Sequence, residues 1–126
     1  MPRATGTFDV KLAPQSSDAP GLGRLSLDKQ FSGDLTGTSK GEMLAIRTPT
    51  QGSAGYVAME TITGTLEGRA GTFSLMHSGV MNRGAPTLMV HVVPDSGSEE
   101  LTGLSGSMQI LVEGKEHRYE FEYNLP

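Results

Sequence analysis

The segment His117-Arg118-Tyr119-Glu120-Phe121-Glu122-Tyr123-Asn124-Leu125 decides the fold class of this chain. Apart from His117, its odd-numbered positions are aromatic or aliphatic, whereas its even-numbered positions are charged or polar. Successive side chains of a β-strand point to opposite faces, so this period of two indicates a strand with one face in a core and the other in water. An amphipathic helix would instead place apolar residues three or four positions apart.

The same alternation recurs along the rest of the chain. It is clear in 7–12 and 24–31, and five further strand candidates cover about 35–47, 52–66, 69–82, 86–94 and 104–113. The breaks between the strands carry Gly, Asp and Pro, which favour tight turns. Each break is too short for a crossover helix, so neighbouring strands should be antiparallel. The polar segment 14–23 is predicted to be a surface loop.

Eight antiparallel strands with one apolar face each can form a sandwich or a closed barrel. Even hairpin spacing, without long Greek-key connections, favours the up-and-down barrel, and closure removes exposed strand edges. The 126 residues fit one domain, 1–126, without a long-period repeat or a shift in composition. We therefore predict an all-β fold, an eight-stranded antiparallel up-and-down barrel. Its lumen is either filled by side chains or holds one small ligand.

Composition and motifs argue against several classes of function. The net charge of −4 is spread along the chain without a Lys/Arg cluster, so no nucleic-acid partner is expected. The apolar run 88–93 is far shorter than the ~20 residues of a membrane helix, so no membrane partner is expected either. Cysteine is absent and the first residues lack an apolar signal segment, which predicts a cytoplasmic protein. We also expect no metal and no cofactor, since the three histidines lack close ligand spacing.

Several ionisable side chains fall in register with apolar strand faces. Lys29 shares a face with Leu27 and Phe31, and Glu60 and His77 each continue an apolar face of their own strand. If these faces point inward, the three groups share the lumen with a set of mostly apolar side chains. We take Glu60, His77 and Lys29 as candidate catalytic residues, and we take six others as candidate ligand-binding residues: Tyr56, Phe73, Met81, Tyr119, Phe121 and His117.

Two interpretations of the charged candidates stay open. Burying an unpaired charge costs several kcal/mol, so such groups should pair or shift their pKa. A carboxyl group in an apolar pocket has a raised pKa, and a nearby imidazole could exchange protons with it near neutral pH. The alternative is that Lys29 and Glu60 form a self-satisfied pair in the core, or that polar tips reach water at the rim of the barrel.

The run 88–93 is apolar on both of its faces. One face should line the core, and the other should meet another subunit or lie under a loop of the same chain. The first possibility predicts a homo-oligomer.

Five stretches resemble the bacterial family catalogued as domain of unknown function 3224. They are LDKQFSGDL (27–35), SKGEML (39–44), SAGYVA (53–58), VVPDSG (92–97) and YEFEY (119–123), so the resemblance spans essentially the whole chain. That family is similar in turn to the allene oxide cyclase barrel, which implies the same eight-stranded fold. The wider fold group includes cofactor-free cyclases that enclose a flexible, largely apolar substrate. The family itself has no agreed activity, so no catalytic motif is carried over.

Three functions follow as alternatives. In the first, the lumen binds a small, largely apolar molecule. In the second, the protein is a cofactor-free cyclase or isomerase in which Glu60 and His77 exchange protons, and Lys29 keeps Glu60 ionised or stabilises a developing anion. In the third, a filled barrel acts as an oligomeric scaffold or interaction module, which predicts a lumen without a ligand-sized cavity. The sequence does not decide whether the protein is an enzyme.

Overall fold

The structure is a computed structural model that describes residues 2–126. They form one turn of 3-10 helix (Glu99–Leu101) and eight strands, which are β1 (Arg3–Gln15), β2 (Leu22–Gly33), β3 (Leu35–Arg47), β4 (Ala54–Leu66), β5 (Arg69–Asn82), β6 (Ala85–Val92), β7 (Ser105–Glu113) and β8 (Glu116–Asn124). Each strand pairs antiparallel with the next, and β8 returns to β1, which closes the barrel. The predicted all-β up-and-down barrel is confirmed.

The predicted surface loop 14–23 is wrong in its extent. β1 continues to Gln15 and β2 already begins at Leu22, with Pro14 opposite Leu25 and Gln15 opposite Arg24. A proline lacks the N–H donor that an interior ladder position requires, but it is tolerated near the end of a strand. The loop is therefore limited to 16–21, and the first hairpin extends the barrel wall beyond the length expected from the sequence.

The end of the barrel that carries the β2–β3 and β4–β5 turns is packed solid, and we call it the closed half. The connection between β6 and β7 lies over this end and buries Leu101 and Leu104, which are 0% and 2% exposed. These two leucines belong to one continuous core with apolar side chains from the strands, among them Ala4, Phe31, Leu35, Leu66, Phe73, Phe121 and Tyr123.

The opposite end carries the other four connections, 16–21, 48–53, 83–84 and 114–115, and we call it the open half. Its inward-facing apolar side chains are not covered by protein. Leu12, Leu88 and Val112 remain 49%, 39% and 61% exposed although they point into the barrel. The same strands thus enclose a filled lumen at one end and an accessible one at the other.

The outer wall of β3 to β6 also carries exposed apolar side chains. In β6, Val90 and Val92 face the core, whereas Met89 on the outer face is 53% exposed. The alternative that a loop of this chain covers the outer face is therefore wrong at Met89. A shallow groove of about 420 Å³ crosses the wall between Leu22, Leu44, Ile46, Val57 and Val80.

The one helical element of residues 2–126 is three residues long, so nothing helical there has the length and apolarity of a membrane span.

Candidate functional site

The three candidate charged groups meet inside the barrel, at the boundary between its two halves. Lys29 (β2), Glu60 (β4) and His77 (β5) are 7%, 2% and 5% exposed. Glu60 Oε2 accepts a hydrogen bond from Lys29 Nζ at 2.8 Å, and the same oxygen contacts His77 Nε2. One inward-facing group from the adjacent strand β5 and one from β2, two strands away, thus converge on one buried carboxylate.

Ser39 completes the cluster, and it was not among the candidates. Its hydroxyl is 1% exposed and donates to Glu60 Oε1 at 2.8 Å. Ser39 lies on the inward face of β3 between Gly37 and Gly41, so the signal in the sequence was one polar residue at an inward position between glycines. The serine bonds the carboxylate and not the imidazole, so the cluster differs from a serine–histidine–acid triad, in which the histidine lies in the middle.

The expectation that burial would raise the pKa of Glu60 is wrong. Burial does act in that direction, but the hydrogen bond from His77 and the charge of Lys29 outweigh it and lower the pKa from 4.5 to about 2. Opposite charge and hydrogen bonds to the charged form both stabilise a carboxylate. Glu60 is therefore ionised at physiological pH, and it cannot act there as a general acid.

The ionised carboxylate fixes the orientation of His77. Because Nε2 faces Glu60 Oε2, the proton of the neutral imidazole lies on Nε2, and Nδ1 carries the free lone pair. Within residues 2–126, every fully buried side-chain N or O has a hydrogen-bond partner, whereas Nδ1 forms no hydrogen bond. Nδ1 is consequently accessible, and it reaches the space above the cluster that His77 lines.

That space is a cavity of about 260 Å³ in the open half of the lumen. Lys29 and His77 form its floor and His117 lines one side. The remaining wall is apolar or aromatic, and it consists of Phe8, Val10, Leu12, Leu27, Met43, Tyr56, Ala58, Leu88, Ile110 and Val112. A ligand in this cavity would meet mostly apolar side chains except at the floor and beside His117, which is the usual composition of a small-molecule site.

Tyr56 forms the wall on the β4 side, next to a glycine in β5. The two residues are directly opposite each other, and a Cβ atom added at Gly79 would collide with the Tyr56 ring. The absence of a side chain at Gly79 therefore lets the ring lie flat across the strand. Tyr56 and His117 are the two candidate ligand-binding residues that line the cavity.

The structure places the other four candidates elsewhere. Phe73, Phe121 and Tyr119 lie in the packed closed half, where the rings of Phe73 and Phe121 stack at 5.9 Å. The Tyr119 hydroxyl accepts a hydrogen bond from Leu35 N at 2.9 Å and lies 3.0 Å from the carbonyl oxygens of Ser32 and Leu35, so it holds the β2–β3 turn. Met81 is 39% exposed and lines a depression of about 380 Å³ at the rim. This depression shares Met43, Tyr56 and Leu88 with the cavity.

In the part of the chain that is described, no group of three or more His, Asp or Glu converges as a metal centre would require. At the cavity floor, the group next to the Glu60 carboxylate is the ammonium of Lys29, which is not a metal ligand while it is protonated. The expected absence of a metal stays a prediction.

Comparisons with known proteins agree on one family. A family model described as "Protein of unknown function (DUF3224)" matches residues 4–123. A crystal structure of a protein with unknown function from the DUF3224 family of Shewanella oneidensis MR-1 is similar to this chain. The two are 49% identical with a TM-score of 0.96, and the match covers 100% of this chain and 98% of that one. No curated protein matches the chain.

Proposed function

This chain belongs to the DUF3224 family of proteins of unknown function, and we propose that it binds a small, largely apolar molecule in the open half of its lumen. The observation that carries the proposal is the contrast within one lumen. The closed half is filled, whereas the open half keeps Leu12, Leu88 and Val112 inward-facing and exposed above a polar floor. An apolar ligand would remove these side chains from water, at roughly 25 cal/mol for each Å² buried.

The cavity limits the size of the ligand. Its volume of about 260 Å³ lies just below the ~300 Å³ at which ordinary ligand pockets begin. At roughly 30 Å³ for each water-sized group, it holds about nine non-hydrogen atoms. A longer molecule would extend into the depression at the rim, past Met43 and Leu88.

Native mass spectrometry of the protein purified from its own cells tests the proposal. We expect a retained small molecule in the wild-type protein and its loss in the variant Ala58→Phe, because Ala58 is buried and lines the cavity, so a larger side chain fills the space. The matched control is Val57→Phe, which adds the same ring one residue away on the outer wall, where Val57 is 52% exposed. The control should retain the molecule.

Two results would count against binding in the lumen. One is a wild-type protein without any bound molecule that also shows no thermal stabilisation by small apolar probes such as 1-hexanol. The other is equal retention by Ala58→Phe and the wild type. Loss in Val57→Phe alone would assign the molecule to the outer groove instead.

A second candidate function is general acid–base catalysis of an isomerisation, and the orientation of His77 favours it. Nε2 is held by an ionised carboxylate while Nδ1 faces the cavity, an arrangement in which an imidazole can remove a proton from a bound molecule and return it elsewhere. Glu60 would orient and stabilise the imidazolium, and Lys29 would stabilise an enolate oxygen.

Proton exchange at the α-carbon of cyclohexanone in D₂O tests this candidate. NMR should show exchange faster than that caused by free imidazole at equal concentration, and His77→Gln should abolish the excess. His91→Gln, on the outer face of β6, is the matched control and should exchange like the wild type. Exchange no faster than with imidazole, or exchange retained in His77→Gln, would exclude His77 as the base for this reaction.

The outer wall carries exposed apolar side chains. We therefore also propose that copies of the chain associate through this wall in the cytoplasm. Light scattering after size exclusion checks the association, and Met89→Lys should weaken it, since Met89 is 53% exposed. A monomeric wild-type protein would exclude it.

A further inference from the structure

The floor of the cavity has hydrogen-bond donors left over and almost no free acceptor. Both oxygens of Glu60 are engaged, one by Ser39 and the other by Lys29 and His77. Lys29 has three N–H donors and donates one hydrogen bond to Glu60. A ligand that touches the floor therefore meets the ammonium of Lys29 on one side and Nδ1 of His77 on the other.

The Lys29 ammonium also lies close to two aromatic rings inside the barrel. Its Nζ lies 4.8 Å from the ring centroid of Phe8 and 5.9 Å from that of Phe31. The faces of these rings stabilise the cation but accept no conventional hydrogen bond. The unused donors are best satisfied by an acceptor that a ligand brings into the cavity.

We propose that the bound molecule carries a single carboxylate, which lies against Lys29 and His77 and is accompanied by one proton taken up on His77. This inference rests on the proposed binding function and specifies the ligand class. One carboxylate oxygen accepts from Lys29 Nζ. The other needs a donor at Nδ1, which the neutral imidazole lacks there, so a proton from solvent binds Nδ1 and the imidazolium lies between two carboxylates.

The charges balance only with that proton. With a neutral imidazole at His77, the ligand-free floor carries no net charge, because Lys29 and Glu60 cancel. A carboxylate adds one negative charge and the proton adds one positive charge, so no buried charge is left uncompensated. An ammonium head group on the ligand would place a second cation beside Lys29. A hydroxyl head group would accept a hydrogen bond from Lys29 but would bring no negative charge to pair with it.

The other titratable groups around His77 do not change the count of one proton for each bound carboxylate. Glu60 faces it from β4 and Lys29 reaches the same carboxylate from β2. His117, on β8, is a further titratable wall residue, and Tyr56, on β4, is a weak acid whose pKa burial raises further. β6 contributes the apolar side chains of Leu88 and Val90. Because binding takes up a proton, carboxylate affinity should decrease as the pH rises.

Three probes with one chain length and different head groups test the inference: hexanoate, 1-hexanol and hexylamine. Calorimetric titration near pH 8, above the ordinary imidazole pKa, in two buffers of different ionisation enthalpy gives affinity and proton uptake together. We expect hexanoate to bind about tenfold more tightly than 1-hexanol or better, as a charge-assisted pair predicts, with about one proton taken up for each site. Hexylamine should bind most weakly.

The outcomes separate this inference from the function on which it rests. If 1-hexanol binds as tightly as hexanoate, the carboxylate is overturned and lumen binding stands. If hexanoate binds preferentially without proton uptake, the role of His77 is overturned. If none of the three probes binds to a folded protein, both the ligand class and lumen binding by such molecules are overturned.

A double variant isolates the head-group contact without leaving a lone buried charge. Lys29→Met with Glu60→Gln replaces the ion pair by neutral groups of similar size, which is often tolerated where removal of one partner is not. It should bind 1-hexanol like the wild type and lose the preference for hexanoate. Lys11→Met is the control, since Lys11 is exposed on the outer face of β1, and it should keep the preference. A preference retained in the double variant would overturn the role of Lys29.

Discussion

The two halves of the lumen are built from the same eight strands, but they differ in how the space is used. In the closed half, Phe73 stacks on Phe121 and the β6–β7 connection inserts Leu101 and Leu104. In the open half, the corresponding positions hold smaller residues such as Ala58 and Gly79, and no segment of residues 2–126 buries Leu88 or Val112. The closed half shows that side chains can fill this barrel, so the empty space is not imposed by the strand number.

The charged cluster lies where the two halves meet, and each half contributes a different property to it. The filled side removes Glu60 from water, which strengthens its interactions with Lys29 and His77. The open side exposes Nδ1 of His77 and the remaining donors of Lys29 to whatever enters. The comparison predicts that substitutions in the closed half change stability, whereas substitutions in the open half change binding.

The largest effect is expected from shortening a closed-half aromatic side chain. Phe121→Ala should lower the free energy of unfolding by about 3–5 kcal/mol, because Phe121 is 0% exposed and its loss leaves a cavity. Leu88→Ala in the open half should cost much less, because Leu88 is already 39% exposed. Urea unfolding of the two variants measures the difference. Equal losses would show that the halves are packed alike.

Removal of the buried carboxylate comes next. Glu60→Gln leaves the Lys29 ammonium buried without its counter-charge and should cost about 3 kcal/mol or more, whereas the Lys29→Met/Glu60→Gln double variant should recover most of that loss. Urea unfolding at neutral pH checks both variants. A single variant as stable as the wild type would show that the pair contributes nothing.

The wild-type protein should also lose the contribution of Glu60 in acid. The folded pKa of about 2 lies below the ordinary 4.5, so this contribution is complete above the unfolded pKa and is lost as the pH falls from about 4.5 through about 2. In the double variant, which lacks the carboxylate, unfolding in urea should depend less on pH over the same range. Identical pH profiles would contradict the lowered pKa.

Larger side chains at two buried alanines should lower the stability by a smaller amount, and by different amounts in the two halves of the lumen. Ala4→Leu, at 0% exposure in the closed half, should destabilise the barrel by about 1–3 kcal/mol through overpacking. Ala58→Leu directs the same added atoms into the cavity and should cost less, while it weakens 1-hexanol binding. Thermal unfolding with and without 1-hexanol measures both effects. A larger loss at Ala58 would mean that the cavity is not available to side-chain atoms.

The smallest effect is expected at two tyrosine hydroxyls. Tyr119→Phe leaves Leu35 N without its acceptor and should cost about 1–2 kcal/mol. The hydroxyl of Tyr56 forms no hydrogen bond within the described residues, so Tyr56→Phe should be nearly neutral for stability. Urea unfolding measures both variants. A larger loss of unfolding free energy in Tyr56→Phe than in Tyr119→Phe would contradict the structural role given to the Tyr119 hydroxyl.

Much of this was predictable from the period of two in the sequence. The alternation identifies the inward faces, so it predicts that Lys29, Glu60 and His77 share one lumen. The period gives the face of a side chain but not its height in the barrel. Phe73, Tyr119 and Phe121 were therefore expected beside a ligand, although the segment 93–104 packs over their end of the barrel.

Two further features depend on contacts between side chains of different strands. Ser39 is 21 positions from Glu60 and approaches it because Gly41 lies opposite Glu60 in the β3–β4 pair, which makes Ser39 a diagonal neighbour. The pKa of Glu60 depends on the sum of several opposing interactions, so its direction could not be inferred from an apolar neighbourhood alone. Strand alternation alone predicts neither the Ser39–Glu60 hydrogen bond nor the direction of the Glu60 pKa shift.

The most direct test of ligand binding in the open half is a methyl NMR titration of the folded protein with 1-hexanol. We expect the largest shifts in methyl groups that line the cavity, Val10, Met43, Ala58, Leu88 and Ile110. Closed-half methyl groups should be unchanged, among them Leu35, Leu66 and Leu101. Shifts confined to the outer-wall methyl groups of Val57, Met59 and Met89, or no saturable shift at all, would contradict binding in the lumen.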